Sequence, residues 1–109
     1  MLAALLGSTN KERVLVYLAS RERGYAREIG RFFRAPLYPI QRAMESLEAA
    51  GVLCSRPVGN TREFDWNQRY PARQELRRLV ERALSLYPRD LREKLQIVRT
   101  RPRRKGKPL

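Results

Sequence analysis

Residues 34–42, RAPLYPIQR, set Arg34, Tyr38, Gln41 and Arg42 around two prolines, Pro36 and Pro39. The chemistry these residue types offer is planar recognition. A glutamine amide carries a donor and an acceptor side by side and matches the N6/N7 edge of adenine, while an arginine fork matches O6/N7 of guanine. A tyrosine at a helix mouth can meet a phosphate or pack on a thymine methyl group. Catalytic chemistry has little to work with. The chain has no His and a single Cys, Cys54, which excludes disulfide frameworks, Cys/His metal sites and imidazole-activated nucleophiles within one chain. Its 11 carboxylates include no Asp-x-Asp type cluster. No acid–base site can be proposed, and the chain is not expected to be an enzyme.

The charge balance points the same way. There are 24 Lys+Arg against 11 Asp+Glu, a net charge of +13. Such a surplus favours polyanions, nucleic acid first and an anionic membrane surface second. A length of 109 residues fits one domain, and 42% hydrophobic content is enough for a modest core. No apolar run approaches the roughly 20 residues of a spanning helix. The opening MLAALLG is apolar but short and lacks a basic start. It is expected to be folded N-terminal structure of a cytoplasmic protein, not a signal peptide.

These residues need elements to hold them. GSTNKERVLVYLAS opens a first helix, with Thr9 and Glu12 at capping-box spacing and Val14, Leu15 and Leu18 as its apolar stripe; Gly24 is its expected stop. YAREIGRFF reads as a short second helix with Ala26, Ile29, Phe32 and Phe33 facing inward. In the third, Ile40, Ala43, Met44 and Leu47 follow core-facing spacing, and Gly51 suits the left-handed cap. VLCSRPV and TREFDW flank Gly59-Asn60 as a β-hairpin, with Cys54 as a packing residue, Pro57 on an edge, and Phe64 and Trp66 in the core. Residues 72–87 form the longest amphipathic helix, which Pro88 stops, and RDLREKLQIV makes one more short helix.

The order helix, helix, turn, helix, hairpin, helix is that of a winged helix-turn-helix. YAREIGRFF followed by IQRAMESLEAAGVL resembles ArsR-like winged-helix regulators, and GNTREFDWN resembles their wing. The flavour is that of small domains sometimes fused to nucleotidyltransferases. The resemblance covers about residues 5–87. It implies double-stranded DNA and a second copy of the chain as partners. Metal sensing does not carry over, because the Cys and His ligands are missing; no metal, no cofactor and no membrane partner is expected. The chain also departs from the family at the turn, where Arg34 and Pro36 replace the usual cap glycine and Ser or Asn. A non-glycine residue in the left-handed conformation costs roughly 1 kcal/mol or more.

The expected fold is thus mainly α with a small β-hairpin, a winged helix-turn-helix with a long C-terminal helix. Residues 1–96 form the domain and 97–109 a disordered basic tail with six basic residues from Arg99 on. Tyr38, Pro39, Gln41 and Arg42 form the reading head. Arg27, Arg31 and Arg34 meet phosphates, and Arg56, Asn60 and Arg62 carry the wing. Leu5, Leu6, Leu76, Leu79, Val80, Ala83, Leu84 and Tyr87 are expected at a homodimer interface. Because a proline pushes the preceding residue out of the helical region, the regular reading helix is expected to begin at Pro39, with Ala35–Tyr38 as a stiff lead-in. The function expected is sequence-specific DNA binding by a transcription regulator, most simply a repressor. The alternatives are a nucleic-acid-packaging or RNA-binding protein that relies on its tail, and an interaction adaptor for a partner enzyme.

Overall fold

Helix α2 (Thr9–Arg21) is the axis of the domain. Val14, Leu15, Val16, Tyr17 and Leu18 are all buried, so the middle of this helix is apolar all round and has neighbours on every side. The computed structural model describes residues 1–96; the basic tail lies outside the described residues. A four-residue helix α1 (Ala3–Leu6) precedes α2. Then come a two-residue strand β1 (Arg23–Gly24), α3 (Ala26–Phe33), α4 (Leu37–Ala49), strands β2 (Leu53–Val58) and β3 (Thr61–Trp66), and α5 (Arg73–Ser85). Residues 89–96 are helical again.

The start of α2 differs from the capping-box expectation. Ser8, not Thr9, is the cap, and its hydroxyl accepts the Lys11 N–H at 3.1 Å. Glu12 does not turn back to the cap. It is only 5% exposed, and its carboxylate accepts the Leu2 N–H and the Tyr87 hydroxyl, both at 2.7 Å. Burial alone would raise its pKa, but these hydrogen bonds, with the nearby N-terminal ammonium, outweigh it and hold Glu12 below the usual 4.5.

The end of α2 differs too. The helix stops at Arg21, and Glu22 ends it at a positive φ of 71°. Arg77 of α5 reaches that residue with a two-pronged ion pair at 3.0 and 3.1 Å, and the same guanidinium lies 5.0 Å from the Trp66 ring centre. Gly24 is not the stop. It sits in β1 opposite Phe64, where an added Cβ would come within 2.9 Å of Tyr17 Cε1. A bare backbone is what lets β1 close against the buried ring.

The three strands form an antiparallel sheet in the order β1-β3-β2. Pro57 lies on β2, an edge strand, opposite Arg62, so its missing N–H costs no interior ladder bond. Phe64 and Trp66 alternate inward as expected, and Trp66 donates its indole N–H to the Leu18 carbonyl at 3.2 Å. Cys54 alternates outward and is exposed, which corrects its reading as a packing residue. Its thiol donates to Asp65 Oδ1 at 3.0 Å across the register pair Cys54–Asp65. That bond, with partial burial and the carboxylate's charge, pushes the thiol pKa up to about 11.

At the other end, α5 is 13 residues, the same length as α2 and α4, so it is not the longest helix expected over 72–87; the break before residue 89 and the further short helix are as expected. Val80 and Ala83 are wholly buried in the domain's own core, which removes them from any intermolecular face. Leu76, Leu79, Leu84 and Tyr87 are half-buried against the same core, as is Leu6. Leu5 (71% exposed) and Leu86 (61%) stay uncovered.

Candidate nucleic-acid interface

The turn between α3 and α4 is built on a strained residue. Arg34 closes α3 at φ 54°, ψ 44°, and its N–H donates to the Arg31 carbonyl at 3.2 Å while the Ala35 N–H donates to Gly30 at 2.8 Å. This is the left-handed non-glycine position that the departure from the family pattern anticipates. Pro36 then runs extended at ψ 145° and caps α4.

Helix α4 begins at Leu37, two residues before Pro39. Tyr38 is therefore helical, contrary to the lead-in expectation. Pro39 occupies the third helical position, whose N–H would have no intrahelical partner in any case. The preference of a pre-proline residue for extended backbone is a bias, and continuous burial of Ile40, Ala43, Met44 and Leu47 from the first turn overrides it.

Starting the helix early brings Tyr38 one turn above Arg42. Tyr38 is 63% exposed, and its hydroxyl accepts a hydrogen bond from Arg42 Nη1 at 2.8 Å. The guanidinium carbon lies 5.6 Å from the ring centre. Tyr38 and Arg42 thus form one unit, a coupling that i, i+4 spacing allows once Tyr38 is helical. Gln41 is exposed beside them with its amide uncommitted among the described residues. Arg27, Arg31 and Arg34 are exposed, and their guanidinium groups make no hydrogen bond or ion pair among the described residues.

The wing is partly committed. Arg56 is paired with Glu63 at 2.7 and 3.0 Å, so its charge is largely answered on the wing itself. Arg62 donates through Nε to Ser55 Oγ at 3.0 Å, and Ser55 donates to Glu48 Oε2 of α4 at 2.7 Å. This relay fixes the wing against α4. It escaped the sequence reading because Ser55 is an unremarkable strand residue until the hairpin register brings it to Glu48. Asn60 stands exposed at the tip, where the Thr61 hydroxyl donates to the Val58 carbonyl at 2.9 Å. Between α4 and the wing runs a groove of about 390 Å³ lined by Arg27, Gln41, Glu45, Asn60 and Arg62 among others.

No protein-family profile and no curated relative matches the chain. Two solved structures do. The adhesin competence repressor AdcR from Streptococcus pyogenes aligns over 97% of this chain and 91% of its own, at 15% identity and TM-score 0.51. A C30AH42A mutant of Lactococcus lactis ZitR in apo form aligns over 97% and 89%, at 11% identity and TM-score 0.53. The chain has a winged-helix fold. At these identities the likeness concerns the fold, and it does not single out the ArsR-like branch. Among the described residues, no group of three or more Cys, Asp or Glu side chains could hold a metal ion, and no helix is long and apolar enough to cross a membrane.

Proposed function

We propose that this protein is a sequence-specific double-stranded DNA-binding transcription regulator, a repressor acting as a homodimer. The observation that carries the reading is the exposed mouth of α4. There the Tyr38–Arg42 unit and Gln41 stand free, and Arg27 opens onto the same groove as Gln41. In this reading α4 enters the major groove, Gln41 and Arg42 meet base edges, and Arg27, Arg31 and Arg34 meet phosphates. Pro39 holds the first turn. Arg62 and Asn60 carry the wing's contacts; Arg56 contributes less, because Glu63 already answers its charge. A winged-helix fold shared with a structure of a repressor supports the regulatory role. The uncovered Leu5 and Leu86 support pairing of two copies, with Leu6, Leu76, Leu79, Leu84 and Tyr87 as the half-buried margin.

Selection of bound sequences from a random duplex pool tests this. The expected result is a motif of two inverted half-sites about one DNA turn apart, roughly 34 Å. Gln41→Ala with Arg42→Ala should erase the base preference and leave salt-dependent binding. A pool that enriches nothing, or an unchanged motif in the double variant, sinks the reading.

A further inference from the structure

One carboxylate stands on the reading face itself. Glu45 lies one helical turn beyond Gln41 on α4, is exposed, and lines the same groove as Gln41, Arg27 and Arg62. The cations that could have neutralised it are engaged elsewhere or stand apart. Arg42 bonds Tyr38, Arg62 bonds Ser55, and Arg27 makes no ion pair. Glu45 accepts no hydrogen bond and forms no ion pair among the described residues; it contributes only a weak favourable field at Arg42. The neighbouring Glu48, by contrast, is committed to Ser55.

A free carboxylate on a surface that approaches a polyanion is unfavourable unless a donor meets it. In the major groove only two base groups donate, the N4 amino group of cytosine and the N6 amino group of adenine. Guanine and the thymine carbonyl present acceptors, which repel a carboxylate. Adenine places its N7 acceptor beside the amino group, whereas cytosine does not. Building on the proposed DNA-binding function, we propose that Glu45 is a specificity-determining residue that demands cytosine at the base pair beside the one Gln41 reads. Attraction to the amino group and repulsion from acceptor edges act together, so this residue discriminates more than it binds.

Sequence selection with the full chain and three single variants tests this. Gln41→Ala marks the Gln41 position by the base preference it loses. Glu45→Ala should then lower cytosine enrichment at the adjacent position by at least about fivefold, with the other positions unchanged. Binding to scrambled duplex should tighten slightly, because one negative charge is gone. Glu81→Ala removes an exposed carboxylate on α5 and should give the same small tightening with an unchanged motif. Glu45 is exposed, so its variant should unfold at the wild-type temperature. If wild type yields a motif and Glu45→Ala reproduces it, the inference is overturned while the DNA-binding reading stands. Uniform weakening at every position overturns it too, since that is loss of docking and not loss of one base contact. A wild-type pool without any motif overturns both.

Discussion

Tyr87→Phe isolates the contact that ties the end of α5 to the core helix. The substitution deletes one hydroxyl and leaves the ring in place. In the native protein that hydroxyl donates to Glu12 Oε2 at 2.7 Å, and Glu12 is 5% exposed. A hydrogen bond to a charged group contributes about 1.5–3 kcal/mol net. About 2 kcal/mol of stability should therefore be lost, which in a domain of this size lowers Tm by roughly 10 °C. Glu12→Gln weakens the same pair from the other side, since one uncharged amide oxygen accepts more weakly than a carboxylate, and the double variant should cost less than the sum of the singles, because the two groups share one interaction. The pH dependence gives an independent check. The folded pKa of Glu12 lies below its ordinary value, so its stabilisation is present above the unfolded pKa near 4.5 and is lost as pH falls through the lower folded value. Urea melts at pH 7 and near pH 3 should show the wild-type advantage over Glu12→Gln shrinking in acid. Strictly additive single variants, or an advantage that grows in acid, would refute the argument.

Two further tests address other parts of the fold. Arg34→Gly should raise stability by roughly 1 kcal/mol in thermal melts, since Arg34 sits at φ 54° where glycine carries no Cβ strain. The same variant should weaken DNA binding and reduce the slope of log K against log salt by about one, as removal of a phosphate contact does. Cys54, though exposed, should be alkylated at pH 8 one to two orders of magnitude more slowly than a free thiol of pKa near 8.5. Its thiol pKa is pushed up to about 11, so Asp65→Asn should speed the reaction, and the rate in wild type should keep rising with pH beyond the point where a free thiol levels off, reaching its plateau only above about 11.

The sequence by itself determined the elements whose signals are local. The Ile40, Ala43, Met44, Leu47 stripe, the Gly51 cap at φ 84° and the alternation of Phe64 and Trp66 each depend on helical period, strand period or one positive-φ site. Such rules act within a few residues, and the same rules brought Gln41, Arg42 and the turn arginines to notice. What only the tertiary structure decided were pairings between distant parts of the chain. Gly24 reads as a helix stop until β3 pairs with it and Tyr17 packs below it. Glu12 reads as half of a capping box until Tyr87, 75 residues away, donates to it. Val80 and Ala83 read as an open apolar stripe until the core of α2 covers them. At the opening prolines, local preference and core burial disagreed, and burial prevailed. It starts α4 at Leu37, and that early start lets Tyr38 hold Arg42 in place beside the uncommitted carboxylate of Glu45.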